Sequence, residues 1–250
     1  MTDSPPERRV VVLNDIRRYV GPALARLLVT RGHDLVVGDW TPETVDELEA
    51  AGATIVTVPD ARDLAVADSA PRLVEAAIER FGRIDAAAAF GGVIVTGSFA
   101  DSTPADLARA VEGCLEAPYH FLQAVTEPML GRGEGQILVI TSAAGARPTP
   151  GAPLYSAARA AANMLVRNVA GEVAARGVQV NAVGTNFMDF PDFLRATGAD
   201  DPAVRKVVEG MVPMRRLGTM EEFASFCMPY VDGTSRFTTG QFVPYAGGWA

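Results

Sequence analysis

Short runs of apolar residues alternate along this chain with longer segments in which apolar residues recur every three or four positions. A short apolar run is typical of a buried strand, and a period near 3.6 is typical of a helix with one packed face. The pattern predicts about seven strands, at 10–13, 35–38, 55–58, 86–90, 136–140, 178–183 and 241–245. It predicts helices at 21–31, 43–51, 71–81, about 104–130, about 153–176 and 220–226, and a less regular segment at 184–212.

The alternation of strand and helix indicates the fold class. Parallel neighbours need helical crossovers, and these cover both faces of the sheet. We therefore expect an α/β fold, a doubly wound Rossmann-like parallel sheet with helices on both faces. The 250 residues contain no internal repeat and no long linker, so a single domain over 1–250 is predicted, with residues 1–7 flexible. Ligands of such sheets bind outside the carboxyl ends of the strands.

Composition and charge exclude several classes of protein. With 48% hydrophobic and 21% charged residues, the chain has the composition of a soluble globular protein. A net charge of −8 argues against a nucleic-acid or anionic-membrane partner. Cys114 and Cys227 form no disulfide framework, and the two histidines have no ligand spacing, so no metal is expected. The polar N-terminus lacks a signal sequence, which predicts a cytoplasmic protein.

The turn after the first strand, LNDIRRYVGPAL, is where a dinucleotide-binding protein needs glycines. Asp15 and Tyr19 occupy two of the three glycine places, and only Gly21 matches. Aspartate would face phosphate charge and tyrosine would fill phosphate volume, so we expect no cofactor. Asp39, at the end of the second strand, suits either a ribose contact or a turn cap. Tyr19 itself suits either packing or a ligand wall.

Ser142, Tyr155 and Arg159 are the candidate catalytic residues. Ser142 follows an apolar strand, which places its hydroxyl at the mouth of the crevice. Tyr155 and Arg159 lie four residues apart near the start of a helix, so they share one face. A guanidinium beside a phenol stabilises the phenolate, and the tyrosine can then act as a general base while the serine holds the substrate oxygen.

The order Ser142, Tyr155, Arg159 resembles the short-chain dehydrogenase/reductase superfamily, as do VNAVGTN at 180–186 and TTGQFVPYAGG at 238–248. That superfamily has lysine where Arg159 stands. Its NNAG after the fourth strand is here AFGG at 89–92, and its Pro-Gly after the sixth strand is here Thr185 and Asn186. The chain is similar to the halohydrin dehalogenases, the cofactor-free branch with a Ser-Tyr-Arg triad. Their first turn, Thr-x4-Phe/Tyr-x-Gly, is matched by Tyr19 and Gly21 but not by Asn14.

The resemblance implies a cofactor-independent halohydrin dehalogenase, a carbon-halide lyase. Tyr155 would deprotonate a vicinal haloalcohol, and the alkoxide would displace halide to give an epoxide. In reverse, an epoxide would be opened by halide, azide, cyanide or nitrite. The resemblance places the halide in the loop after the sixth strand, and it also implies a homotetramer. The halide and nucleophile site would comprise Asn186, Phe187, Met188 and Tyr19, with the backbone N–H groups of Phe187 and Met188 as donors to the halide. The substrate pocket would comprise Val95, Thr149 and Thr185.

Two alternatives remain at this point. The chain could be an NAD(P)-dependent short-chain dehydrogenase/reductase with a degenerate glycine turn, which Asp39 favours. It could also be a non-catalytic relative that kept the scaffold, although the intact triad argues against that. Residues 187, 188 and 190 could equally form an apolar lid. Small-molecule haloalcohols, epoxides and anions are the predicted partners.

Overall fold

A parallel β-sheet is the centre of the computed structural model, which describes residues 8–250. Its strands are β1 (Val10–Leu13), β2 (Asp34–Val37), β3 (Ile55–Thr57), β4 (Ala86–Phe90), β5 (Gly135–Ser142), β6 (Val178–Thr185) and β7 (Phe242–Tyr245). Within the described residues the seven strands lie in the order β3-β2-β1-β4-β5-β6-β7, and every pairing is parallel. The chain reverses direction of winding between β1 and β4, so the sheet has a crevice at the carboxyl ends of these strands.

The helices are α1 (Gly21–Thr30), α2 (Pro42–Ala50), α3 (Ser69–Phe81), α4 (Pro104–Val111), α5 (Ala117–Arg132), α6 (Pro153–Val173), α7 (Pro191–Thr197), α8 (Pro202–Gly210) and α9 (Met220–Cys227). Several begin with strong signals. Thr103 and Thr219 each form a capping box with an acidic residue three positions on. Pro153, the first residue of α6, supplies a helical φ where no intrahelical N–H bond is needed.

Both faces of the sheet are buried, as the apolar strand runs predict. Val10 and Val12 of β1 point into one core cluster, with residues of α3, α5 and α6. Val11 and Leu13 point into the other, with residues of α1 and α9. Because side chains alternate along a strand, a strand that is covered on both faces must be apolar throughout. This confirms the predicted doubly wound, Rossmann-like single domain.

Most predicted boundaries lie within two residues of the observed ones, and three segments differ in a way that matters for the fold or the site. The strand expected at 136–140 extends over Gly135–Ser142, so Ser142 is the last strand residue rather than the first loop residue. The helix expected at about 104–130 is interrupted by a π-helical turn at Glu112–Glu116. The segment at 184–212 contains α7 and α8, which Pro191 and the Asp201 cap initiate. Short helices of this kind have too few turns to show a clear period.

Residues 8–250 contain neither a membrane-spanning helix nor a cluster of metal-ligating side chains. No helix in this range is long and apolar enough to cross a bilayer. No group of three or more histidine, cysteine or acidic side chains in this range could hold a metal ion. The predicted flexibility of residues 1–7 lies outside the described residues.

Candidate functional site

Three strand ends are linked at the carboxyl edge of the sheet. Ser142 and Thr185 are register partners at the ends of β5 and β6. The Ser142 hydroxyl donates to the Thr185 carbonyl at 3.3 Å and accepts from the Ala144 N–H at 3.1 Å. The Thr185 hydroxyl lies 2.5 Å from the phenol oxygen of Tyr19, in the turn between β1 and α1. The structure thus brings Ser142, Thr185 and Tyr19 together.

Tyr155 and Arg159 lie on the first turns of α6. The guanidinium carbon of Arg159 lies 5.3 Å from the centre of the Tyr155 ring. Arg159 is buried, and its Nη2 donates to the Gly91 carbonyl at 2.5 Å. The Ser156 hydroxyl donates to the Ala144 carbonyl at 2.6 Å, which fixes the start of α6 against the segment that follows Ser142. Tyr155 and Arg159 therefore lie side by side, on a helix whose start is fixed to the segment that follows Ser142.

The charge on Arg159 persists although the side chain is buried. Burial is the largest single effect and disfavours the charged form, but the neighbouring Tyr155, Cys114 and Tyr19 together outweigh it, so the pKa of the guanidinium is raised above its ordinary value. Burial raises the pKa of the Tyr19 phenol, and the hydrogen bond with Thr185 opposes this only in part. Tyr19 is therefore a neutral phenol beside a permanently charged arginine.

Gly92 makes room for Arg159, a role that sequence reasoning missed. Its backbone has φ of 142°, and a Cβ atom at this position would lie 1.7 Å from Nη2 of Arg159. Only glycine fits such a position. A Cβ on the neighbouring Gly91 would meet no atom within 4 Å. The signal that could have found this contact is the pair of glycines directly after an apolar strand.

The loop after β6 contains the predicted anion-binding residues. Asn186, Phe187 and Met188 line a cavity of about 230 Å³ that is shared with Met214 and Tyr245. The Phe187 N–H, predicted to face a halide, instead donates to the side-chain oxygen of Asn186 at 2.9 Å. That donor is already used by the protein. Phe187 has φ of 56°, so its backbone has a conformation that L-residues rarely adopt.

The other predicted pocket residues lie on two sides of α6. Val95 is buried with Cys114 and Ala158, and Tyr155 packs against this cluster. Thr149 lies in the loop after β5, where its hydroxyl donates to the Arg147 carbonyl at 3.4 Å. Thr185 contacts Ser142 and Tyr19 directly. Val95 therefore lies beside Tyr155 and Thr185 beside Ser142, whereas Thr149 is partly exposed in its loop.

The C-terminal residues close one side of the crevice, which the sequence did not predict. The Trp249 ring lies edge-on to Phe187, 5.5 Å between centroids. The Arg147 guanidinium stacks 4.8 Å above the same indole and donates to the Trp249 carbonyl at 2.7 Å. The tail thereby connects the loop after β5 with the loop after β6. No local sequence pattern could predict these contacts, since Arg147, Phe187 and Trp249 are distant from one another in sequence.

The contacts of the turn between β1 and α1 show whether a dinucleotide fits this structure. Gly21 packs closely, because a Cβ there would lie 2.2 Å from the Asp15 carbonyl oxygen. The Asp15 carboxylate, however, accepts the backbone N–H groups of Arg17 and Arg18 at 2.8 and 2.9 Å. These are donors of the type that would approach a pyrophosphate. Tyr19 extends across the crevice to Thr185, so the residues present do not fit the group in this arrangement.

Asp39 and Asn14 have contacts within the protein. The Asp39 carboxylate lies 3.5 Å from Arg62 and 3.8 Å from Arg17. Asn14 joins β1 to β4, since its side chain accepts from the Phe90 N–H at 2.8 Å and donates to the Phe90 carbonyl at 2.7 Å. Asn14 therefore has a structural contact at this turn, and Asp39 is partly neutralised.

A larger cavity, of about 830 Å³, lies elsewhere. Its lining includes Asp85, Gly135, Gln136 and Val178, which mark the amino ends of β4, β5 and β6. Doubly wound sheets bind their ligands at the opposite edge. The smaller cavities at the carboxyl edge are therefore the relevant ones, although they hold less volume.

Known proteins resemble this chain over nearly its whole length. A family model described as Enoyl-(Acyl carrier protein) reductase matches residues 17–250. The 3-oxoacyl-(acyl-carrier-protein) reductase FabG of Thermotoga maritima is 25% identical over 97% of this chain and 98% of its own. A solved structure of levodione reductase is 26% identical, with a TM-score of 0.85 and 96% of each chain covered. Another, titled "Dehalogenation enzyme", is 27% identical with a TM-score of 0.84, covering 97% of this chain and 98% of that one.

These comparisons correct one prediction and confirm another. The prediction of a cofactor-independent halohydrin dehalogenase, a lyase that forms epoxides, is wrong. Three curated relatives that match over nine-tenths or more of both chains are named as two 3-oxoacyl-(acyl-carrier-protein) reductases and a dehydrogenase. The broader resemblance is confirmed by the matched family model and by the seven-stranded fold. This chain belongs to the short-chain dehydrogenase/reductase family.

Proposed function

We propose that this protein is an oxidoreductase that interconverts an alcohol and a carbonyl group on a small molecule. The observation that carries the proposal is the placement of Ser142, Tyr155 and Arg159 at the carboxyl edge of the sheet. Two of the similar proteins are named as reductases of carbonyl compounds, a 3-oxoacyl thioester and levodione. Their names support a carbonyl or alcohol substrate for this chain.

Proton transfer is the step of this reaction that the residues of this chain can carry out. In the reducing direction the substrate oxygen gains a proton from the Tyr155 hydroxyl. The Ser142 hydroxyl turns from the Thr185 carbonyl and donates to the same oxygen, which holds it in place. Arg159 stabilises the phenolate that forms, because its charge persists in a buried site. Oxidation of the alcohol reverses each of these transfers.

A nicotinamide dinucleotide is the co-substrate that this proposal implies, and it would exchange a hydride with the substrate carbon. The first turn does not fit this dinucleotide in its present arrangement. The Ser142, Tyr155 and Arg159 contacts do not depend on that turn for their positions, since β5 and α6 carry all three residues.

Aromatic side chains indicate the kind of substrate. Tyr19 packs edge-on against Phe190 with 4.8 Å between ring centroids, and Phe187 packs against Phe193 at 6.0 Å. Val95 closes the side next to Tyr155. Walls of this kind with few polar groups suit a small, largely apolar ketone or secondary alcohol.

A test of this function follows the nicotinamide absorbance with millimolar NADH or NADPH and a panel of small ketones, diketones and 3-oxoacyl thioesters. We expect substrate-dependent oxidation of the reduced dinucleotide. The reverse assay uses secondary alcohols with the oxidised dinucleotides. Folded protein that gives no turnover with any pair, in either direction, would reject the proposal.

Gly92 is expected to position Arg159 for this reaction. Gly92→Ala would force a methyl group into the space of the guanidinium, 1.7 Å from Nη2, and the guanidinium must move. A displacement of about 1 Å at a catalytic group can lower kcat about 10²-fold. Gly91→Ala is the matched control, because its Cβ meets no atom within 4 Å. Equal kcat values for the two variants, both with wild-type melting temperatures, would contradict this role.

The predicted homotetramer stays a prediction. Apolar residues on neighbouring helices remain exposed in the single chain: Leu107 on α4, Tyr119 on α5 and Met164 on α6 are each about half exposed. We propose that these helices contact other copies of this chain. A small-molecule substrate is the other proposed partner.

A further inference from the structure

We infer that the side chains of Asp15 and Tyr19 occupy the dinucleotide site. These two side chains, and not the rest of the fold, make the affinity of the protein for nicotinamide dinucleotides weak. The inference rests on the proposed function and concerns the same crevice. It explains how a member of this family can keep the sheet, the crevice and the Ser142, Tyr155 and Arg159 arrangement with a first turn that does not fit the group.

Asp15 takes the place of a bound anion. Its carboxylate is buried and accepts two successive backbone N–H groups, those of Arg17 and Arg18. Its second oxygen accepts from Nε of Arg62 at 2.8 Å. Backbone donors in a turn before a helix, together with an arginine, are what a phosphate oxygen requires. The protein therefore satisfies an anion-binding turn with its own side chain, and a dinucleotide must displace that carboxylate.

Tyr19 fills part of the volume that a dinucleotide would need in the same turn. The backbone at Tyr19 has φ of 52°, the left-handed conformation that glycine adopts without cost. The turn has thus kept a backbone suited to glycine while carrying a large side chain. The ring packs against Phe190, and the phenol oxygen reaches Thr185 at the end of β6. A chain that retains this backbone should accept glycine at position 19 without rebuilding the turn.

The two side chains are expected to act by different physical effects. Asp15 opposes a phosphate by like charge and by occupying its donors. Tyr19 opposes the dinucleotide by steric exclusion, and its hydroxyl adds only one hydrogen bond. Substitutions that keep shape but change charge, or keep volume but remove the hydroxyl, can separate these effects.

Isothermal titration calorimetry of the full chain with NADH and with NADPH tests the inference without using turnover. Wild type should bind weakly, and Asp15→Gly/Tyr19→Gly should bind at least about tenfold more tightly, a change of about 1.4 kcal/mol. Tyr19→Phe keeps the ring and should bind like wild type, while Tyr19→Gly should gain affinity. Asp15→Asn should gain affinity by loss of charge alone. Should the double variant fail to fold, the three single variants still test each effect.

Two results would overturn the inference. One is a folded double variant that binds no more tightly than wild type. The other is micromolar or tighter binding of NADH or NADPH by the wild type, because the wild-type affinity would then not be weak. Failure of the proposed function is distinguishable from both. If the variants bind the dinucleotide more tightly but no ketone or alcohol is turned over, this inference stands and the proposed oxidoreductase function is rejected. If the wild type turns over a substrate but the variants bind the dinucleotide no more tightly, the proposed function stands and this inference is rejected.

Discussion

Tyr155→Phe is expected to lower kcat about 10²- to 10⁴-fold, the range for loss of a positioned proton donor or acceptor. The variant lacks the hydroxyl that exchanges a proton with the substrate oxygen in the proposed reaction. The ring, which packs against the cluster of Val95 and Ala158, remains. The fold should therefore persist, and substrate affinity should change much less than kcat. Initial rates over a range of substrate concentrations separate kcat from KM.

Tyr119→Phe is the matched control for this variant. Tyr119 lies about half exposed on α5 and is not one of the residues of the proposed site. It loses the same hydroxyl group and should keep wild-type rates. If Tyr155→Phe retained more than about a tenth of the wild-type kcat with an unchanged melting temperature, Tyr155 would not be the proton-transfer group.

Asp85→Asn is expected to lower the free energy of unfolding strongly. The buried Asp85 carboxylate accepts from the Val10 N–H at 2.7 Å, from Arg83 at 2.9 Å and from Arg132 at 2.7 Å. It thus joins the starts of β1 and β4 to the end of α5. Breaking a buried ion pair costs about 3–5 kcal/mol, and we expect about 3 because both arginines are partly exposed. Urea unfolding at neutral pH measures the free energy of unfolding.

The contribution of Asp85 to the free energy of unfolding should also depend on pH, in a direction that follows from its pKa. Burial would raise the pKa of Asp85, but the bonds from Val10, Arg83 and Arg132 outweigh it and hold the pKa below its ordinary value. Such a group stabilises the fold above the pKa of the unfolded carboxyl, about 3.9, and the contribution is lost as pH falls through the lower folded value. Below about pH 4 the difference between wild type and Asp85→Asn should therefore shrink. Asp200→Asn, at an exposed position, should change the curve little; a constant difference at all pH values would contradict the assignment.

Much of the fold could be predicted because it depends on patterns within short segments. The strands of the sheet are apolar on both faces, and this alone distinguishes them from the amphipathic helices between them. Boundaries that depend on long-range contacts could not be placed. The π-helical turn at Glu112–Glu116 adjoins a tight contact in which a Cβ on Gly113 would lie 2.6 Å from Val93. The two residues are too far apart in sequence for a local pattern to show their contact.

Parts of the site could be predicted for a different reason. Ser142 ends a strand, and Tyr155 and Arg159 share one helix face, so spacing alone was enough to bring them to one region. The Phe187 N–H shows the limit of such reasoning. It was predicted to face an anion, yet Asn186, its neighbour in sequence, accepts its hydrogen bond. Which donor remains free depends on side-chain rotamers, and these follow from packing.

The sequence by itself determined the doubly wound sheet, the crevice at its carboxyl edge and the candidate set of Ser142, Tyr155 and Arg159, because these follow from period and spacing. It also showed that Asp15 and Tyr19 replace glycines. Only the tertiary structure decided what these two side chains do. Asp15 binds the donors of its own turn, and Tyr19 reaches 2.5 Å from Thr185, a residue 166 positions away. Gly92 likewise acquired its role only where Arg159 lies against it. Contacts of this kind arise when distant segments pack, and no local pattern encodes them.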